Sequence, residues 1–333
     1  MTGQGARRRC VGVWGLLALI LAVTAPRLVF CEGIPRTTFL PQWVPQTQFA
    51  GYYVALSKGF YQKQGIALAI LPGGPDSPPA DMLTNGKTDF TTMFLSSAIQ
   101  LRAAGVPLVN IAQIGQKSGF MLVARKSSGI YSPPDMNGKR VSIWPAFQTQ
   151  ALAFFRKYRI HVTVIPQSYS INLFLSGGVD VACAMWYNEY HTLLNSGINA
   201  DELTTFFLDR YGLNFPEDGI YCLKETLDKH KDICNAFVRA SLEGWRYAFD
   251  HPEEAVDIVM TYARQAHTGT NRVQQLWMLK RIRDISSPRD GAPAGRLSEQ
   301  DYQTVVSELK SNGMIDEIPS FTTFYVPCLD TSR

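Results

Sequence analysis

The chain has 333 residues, a length that suits two domains, and it carries 32 Lys and Arg against 28 Asp and Glu. Four of those arginines lie in residues 1–31 with no acid beside them, so the rest of the chain sets 28 bases against 28 acids. A neutral chain lacks the basic footprint that nucleic-acid binding needs, so nucleic acid is not expected as a partner.

Residues 1–31 read as an export signal peptide. Arg7, Arg8 and Arg9 make a positive start, residues 11–23 an apolar run, and a short stretch leads to Cys31. The run has 13 residues, where a spanning helix needs about 20. Cleavage after Cys31 is one reading. Leu28-Val29-Phe30-Cys31 also resembles a lipoprotein box with Cys31 lipidated, although Phe30 stands where that box has a small residue. The expected location is periplasmic or otherwise extracytoplasmic. Cys183, Cys222, Cys234 and Cys328 show no CxxC spacing, which argues against a metal knuckle or redox motif. Export permits disulfides, and buried free thiols are set slightly ahead of any bridge.

Beyond the signal, strands and helices alternate, which favours an α/β architecture with parallel strands. Residues 37–40 read as the first strand and 41–48 as its loop. Phe49, Tyr52, Ala55, Leu56, Gly59 and Phe60 then recur at helical spacing until Gly65. An apolar strand at 66–71 runs into Pro72-Gly73-Gly74-Pro75-Asp76, whose glycines permit turns or close backbone approach. A helix near 81–85, a strand at 89–94, a helix at 96–104 and strands at 106–113 and 119–125 follow. Pro133-Pro134 opens a turn. Strand 141–144, helix 148–158, strand 162–165, helix 171–175 and strand 179–185 continue the alternation. From 231 to 310 the pattern is mainly helical: Ile233, Ala236, Phe237, Ala240, Gly244 and Tyr247 form a stripe, and Pro252 opens another helix. Residues 291–295 are the most linker-like stretch, too short to separate domains.

Several segments together carry a family resemblance: Trp43-Val-Pro-Gln-Thr-Gln-Phe-Ala-Gly-Tyr-Tyr-Val-Ala55, Gly59-Phe-Tyr61, Pro72-Gly-Gly-Pro-Asp76, Gly105-Val-Pro-Leu-Val-Asn-Ile-Ala-Gln113, Ser127-Ser-Gly-Ile130, Met136-Asn-Gly-Lys139 and Tyr187-Asn-Glu-Tyr190. In this order they resemble the NMT1/THI5-like group of ABC-transporter substrate-binding proteins, which includes formylaminopyrimidine-binding (thiamine-precursor) and aliphatic-sulfonate-binding relatives. The resemblance runs from about residue 36 to about residue 310. It implies a type II periplasmic binding protein: two α/β lobes joined by two crossing strands, here near residues 118–124 and 218–223. Lobe 1 is then 36–119 with 222–333, and lobe 2 is 120–221. Its implied partners are a small-molecule ligand and an ABC permease, and it implies a monomer that needs no cofactor or metal.

Ligand in such a fold is expected in the cleft, outside the carboxyl ends of strands. Trp43, directly after the first strand, reads as an aromatic plate for a flat ring. Gln46 and Gln48 precede a helix N-terminus, where relatives often have Asn and His. Gly73, Gly74 and Asp76 sit in the loop after the second strand. Phe94, with Ser96 and Ser97, lies at another strand–helix junction, where Ser is also an ordinary N-cap. Trp186, Tyr187, Asn188 and Glu189 follow the strand at 179–185, and a carboxylate there suits an amino-heterocycle. The same residues also read as a helix start, with Asn188 as cap and Glu189 in the first turn. Tyr52 reads as core. His161, His191, His230, His251 and His267 show no metal-ligand spacing.

The leading expectation is non-catalytic capture of a thiamine-precursor pyrimidine or similar aromatic heterocycle. Riboflavin or an aliphatic sulfonate is the alternative cargo. A pyrimidine synthase is a further alternative. The cysteine-rich iron-binding segment of those fungal enzymes corresponds here to Ala182-Cys183-Ala184-Met185-Trp186, with a single Cys.

Overall fold

The structure is a computed structural model that describes residues 36–288 and 291–329. The export signal expected at 1–31, Cys31 included, lies outside the described residues. Among the described residues no helix is long and apolar enough to cross a membrane.

Ten strands form two five-stranded sheets. The first holds β1 (Arg36–Leu40), β2 (Ala67–Ile70), β3 (Phe90–Met93), β4 (Leu108–Gln113) and, from far along the chain, β10 (Gly219–Leu223), in the order β2-β1-β3-β10-β4. The second holds β5 (Phe120–Arg125), β6 (Arg140–Ile143), β7 (Thr163–Pro166), β8 (Val181–Met185) and β9 (Leu203–Phe207), in the order β7-β6-β8-β5-β9. The chain passes from the first sheet to the second through residues 114–119 and returns through 208–218. This is the α/β architecture of a type II periplasmic binding protein.

Burial explains which strands were easy to read. β5 and β8 pair centrally and are buried along almost their whole length, so Phe-Met-Leu-Val-Ala and Val-Ala-Cys-Ala-Met appear as unbroken apolar runs. β2 is an edge strand, and its residues alternate between exposed and half-buried. The expectation of parallel strands needs correction. β10 runs antiparallel to β3 and β4, and β5 runs antiparallel to β8 and β9. Each is a strand that the chain adds directly on crossing between sheets, without the helical crossover that makes strands parallel. β9 was not anticipated: two threonines inside Leu-Thr-Thr-Phe-Phe dilute its apolar signal.

The helix expected from Phe49 to Gly65 is broken. Ala50–Ser57 and Phe60–Lys63 are separate, because Gly59 adopts φ 71°, a left-handed conformation open to glycine at little cost. Helix Ala50–Ser57 crosses the long helix Lys231–Asp250 at close range. A Cβ added to Gly244 would lie 2.1 Å from the Gly51 carbonyl oxygen, and one added to Gly51 would enter the Trp245 ring. Beside this crossing, Phe237 stacks on Phe90 with ring centroids 4.3 Å apart and touches Phe39, Tyr52 and Tyr61. Tyr52 is core, as read from its spacing. Residues 291–295 do not act as a linker: Gly295 accepts a hydrogen bond from the Gln113 amide, while Val326 and Cys328 bond the backbone of Asn110 and Ile111. β4 therefore gains partners from the C-terminal region. The four described cysteines are free and buried.

Candidate functional site

A cavity of about 610 Å³ opens between the two sheets. Its walls come from the ends of five strands and the segments that follow them: Gln42, Trp43, Gln46 and Gln48 after β1, Phe94 after β3, Trp144 to Phe147 after β6, Gln167 to Tyr169 after β7, and Met185 at the end of β8 with Tyr187 to Glu189 after it. Strand carboxyl ends converge there because both sheets point their parallel strands at the gap.

The loop after β1 is held rigidly. The Gln42 amide donates to Thr92 Oγ1 at 3.0 Å, the Thr47 amide to Gln275 Oε1 at 2.6 Å, and Thr47 Oγ1 to the Gln275 carbonyl at 2.7 Å. Gly73 lies beneath this loop, where a Cβ would come within 2.1 Å of the Pro41 carbonyl oxygen and 2.3 Å of that of Trp43. Gly73, Gly74 and Asp76 do not line the cavity. β2 is the outer strand, so its loop supports the Trp43 loop from behind, and Asp76 is exposed. Trp43 meets Tyr169 across the gap, centroids 4.9 Å apart and tilted 52°.

Aromatic rings make most of the remaining wall. Phe147 stacks on Phe120 at 4.8 Å and meets Phe94 edge-on at 4.8 Å, and Trp144 packs against it at 5.9 Å. Trp144 is fixed by its indole N–H donating to the Ser168 carbonyl at 2.9 Å. Ser96 lines only a small neighbouring recess, and Ser97 lines neither.

At the end of β8 a helix starts at the cavity wall, without a side-chain cap bond from Asn188. Asn188 is the N-cap residue and Glu189 the first residue of helix Glu189–Asn195. The Glu189 carboxylate accepts from the Met185 amide at 3.0 Å and from Asn188 Nδ2 at 2.7 Å, and it also borders the cavity. Burial raises its pKa above the usual carboxylate value. Asn188 Oδ1 accepts from Gln274 Nε2 at 3.0 Å, tying this corner to helix Arg272–Ser286. Trp186 does not line the cavity. It sits under the Arg281 guanidinium, and its carbonyl accepts from the Trp277 indole at 3.1 Å. Alternation along the strand end sends its side chain away from Tyr187.

Behind the wall lie two buried acids, Glu217 and Asp218, on the segment returning to the first sheet. Glu217 accepts from the Gly119 amide at 2.6 Å and the Tyr187 hydroxyl at 3.1 Å. Burial, then the neighbouring Asp218, pushes its pKa up to about 8. Asp218 accepts from Gln48 Nε2 at 2.9 Å and from Gln42 Nε2, and Gln46 Nε2 donates in turn to Gln48 Oε1 at 2.6 Å. Burial pushes Asp218 up to about 6, opposed by the two glutamine bonds.

Sequence reasoning missed Gln42, Trp144, Pro145, Ala146, Phe147, Gln167, Ser168, Tyr169 and Met185, together with Asp218 below the wall. The strand-end rule, applied after residues 141–144 and 162–165 as it was after 37–40, would have found most of them. Asp218 gave no signal, because its place depends on β10 returning between β3 and β4. No Lys, Arg or His stands among the described residues lining the cavity, and no described group of three or more His, Cys, Asp and Glu is placed to hold a metal ion. A second cavity of about 580 Å³, bordered by Arg246 and Arg283, lies away from the strand ends and reaches Pro288, next to residues 289–290, which are outside the described residues.

Comparison with known proteins gives the following. The family described as "NMT1/THI5 like" matches residues 46–255. The riboflavin-binding protein RibY of Chloroflexus aurantiacus is 23% identical, covering 73% of this chain and 70% of its own. The formylaminopyrimidine-binding protein of Halalkalibacterium halodurans is 19% identical over 86% of this chain and 88% of its own. A 4-amino-5-hydroxymethyl-2-methylpyrimidine phosphate synthase of Legionella pneumophila is 25% identical over 70% and 75%. Among solved structures, the periplasmic aliphatic sulphonate binding protein SsuA of Escherichia coli superposes with a TM-score of 0.66 at 14% identity, covering 87% of this chain and 91% of that one.

Proposed function

Because the chain belongs to the NMT1/THI5-like family, and has the fold of ABC-importer solute-binding proteins, we propose that it is the extracytoplasmic binding component of such an importer. In this reading it captures a thiamine-precursor pyrimidine or similar small aromatic heterocycle, acts as a monomer, hands the ligand to a membrane permease and catalyses nothing. The lobes read from the sequence, 36–119 with 222–333 and 120–221, close on the ligand like a hinge, with the second boundary moved so that all of β10 (Gly219–Leu223) stays with lobe 1.

The observation that carries this reading is the cavity itself. Trp43, Phe94, Trp144, Phe147, Tyr169 and Tyr187 border it from both sheets, with glutamines, Asn188 and Glu189 between them and no cationic side chain among the described lining. Aromatic faces suit a flat ring, and carboxylate and amide oxygens suit its N–H groups. A sulfonate is disfavoured there, since the wall supplies a carboxylate and no Lys or Arg. Riboflavin is the second cargo the same walls accommodate, and RibY supports it.

A thermal-shift screen of the chain lacking residues 1–35 against 4-aminopyrimidines, thiamine, riboflavin and alkanesulfonates tests the reading. A ligand at 100 times its Kd stabilises by about 2.7 kcal/mol. Stabilisation by sulfonates alone overturns it. Trp43→Ala and Glu189→Gln are expected to weaken binding about tenfold or more, and because the glutamine keeps an acceptor for the Met185 amide, its apo melt is expected to change by less than about 1 kcal/mol. The Legionella relative points to the competing synthase reading. Recovery of chemically unchanged ligand and unchanged protein mass after incubation supports capture, and a changed mass of either supports the synthase.

A further inference from the structure

The amide chain on the cavity wall has a direction, and a buried carboxylate behind it sets that direction. Asp218 is 5% exposed, and no Lys, Arg or His among the described residues pairs with it. Its electrostatic neighbours are Glu217 and the phenols of Tyr52, Tyr187 and Tyr221, none of them cationic. With its pKa at about 6 it is ionised at neutral pH. A carboxylate only accepts hydrogen bonds, so both Gln42 and Gln48 must turn their Nε2 groups toward it. Gln48 is then left with Oε1, which takes one hydrogen of Gln46 Nε2 at 2.6 Å. Gln46, on the cavity wall, keeps Oε1 and one N–H without a partner among the described residues. If the Gln46 amide flipped, two carbonyl oxygens would face each other, so its orientation is forced through two bonds by Asp218.

A carboxamide with one fixed orientation reads a heterocycle edge. Oε1 and N–H in a set order match an exocyclic amino group beside a ring nitrogen, as a glutamine matches adenine. The 4-oxo tautomer, with its donor and acceptor exchanged, needs the flipped amide. Resting on the proposed heterocycle-binding role, we propose that Asp218 is a positioning residue that locks the Gln42–Gln48–Gln46 amides so that the cleft selects amino-substituted over oxo-substituted pyrimidines. Asp218 itself adopts φ 51°, a left-handed conformation that Asn tolerates as well as Asp, so Asp218→Asn is expected to fold.

The test is calorimetric titration of wild type, Asp218→Asn and Gln48→Met with two probes, 4-amino-2-methylpyrimidine and 2-methylpyrimidin-4-one. Wild type is expected to prefer the amino compound by about tenfold or more, the discrimination of one good two-point base contact. The carboxamide introduced by Asp218→Asn can present either an oxygen or an N–H to Gln48, and the methionine of Gln48→Met breaks the relay at its middle, taking one donor from Asp218 and leaving it the Gln42 amide. Both variants are expected to bring the preference within about threefold. A merely structural role for Asp218 would weaken both probes together and leave the ratio untouched. An unchanged ratio in the two variants, or a wild-type preference for the oxo compound, overturns the assignment while sparing the heterocycle reading. Wild-type protein that binds neither probe but binds another ligand class overturns both. If Asp218→Asn does not fold, the Gln48→Met ratio decides alone.

Discussion

Glu217 and Asp218 stand next to each other in the segment that joins the sheets, and both are buried with no described cation beside them. The consequence is a stability that depends on pH in an uncommon direction. Glu217 holds its proton up to about pH 8 in the folded chain, whereas an unfolded glutamate loses it near its ordinary 4.5. Between those values the folded state binds more protons, so stability falls as pH rises, by linkage. Asp218 adds the same sign between 3.8 and about 6. The apo protein is expected to melt at a higher temperature at pH 5 than at pH 8. Glu217→Gln mimics the protonated acid, keeping an acceptor for the Gly119 amide. It is expected to stabilise the protein at pH 8 by up to about 4 kcal/mol and to flatten the slope, since each tenfold change in a group's acidity on folding is worth about 1.4 kcal/mol. Denaturant melts at the two pH values check this, and an unchanged slope in the variant assigns the dependence to other groups.

The crossing of helices Ala50–Ser57 and Lys231–Asp250 brings the backbones into contact at Gly51 and Gly244. Both glycines were visible in the sequence, Gly244 as a member of an apolar stripe, but their role is to supply nothing where a side chain would collide. Gly244→Ala places a methyl 2.1 Å from a carbonyl oxygen and 2.7 Å from the Ala55 Cβ, so one helix must move. A loss of about 1–3 kcal/mol is expected from such overpacking, measured by urea unfolding. Because the Trp43 loop leads into the same helix, ligand affinity is expected to fall with it. A neutral effect on stability would show that the two helices can part without cost.

Across the whole molecule, the proposed capture draws on groups from both sheets. Trp43 follows β1 of the first sheet, and Tyr169 follows β7 of the second. Tyr169 is 71% exposed, so its ring contributes little to the core. Tyr169→Ala is expected to leave the melt nearly unchanged and to speed ligand dissociation about tenfold, with association less affected, as for most changes at a formed interface. Stopped-flow fluorescence of the tryptophans reads both rates. An equal fall in association would place Tyr169 in capture rather than retention.

Period and composition determined a good deal by themselves. The alternation of strands and helices, the loop at Trp43 and the Tyr187–Glu189 strand end follow from local apolar patterning, because a buried central strand and an amphipathic helix each leave a signature within about ten to twenty residues. Seven of the eleven site residues read from the sequence border the cavity, and Trp186, Gly73, Gly74 and Asp76 stand outside it. Trp186 was misplaced because side-chain direction at a strand end is not encoded in residue type. What only the tertiary structure decided is everything that depends on the chain leaving one sheet and coming back. The antiparallel insertion of β10 carries Asp218 beneath Gln48, residues 170 positions apart in sequence. Loop closure over such distances is fixed by packing of the completed sheets, and no local pattern records it.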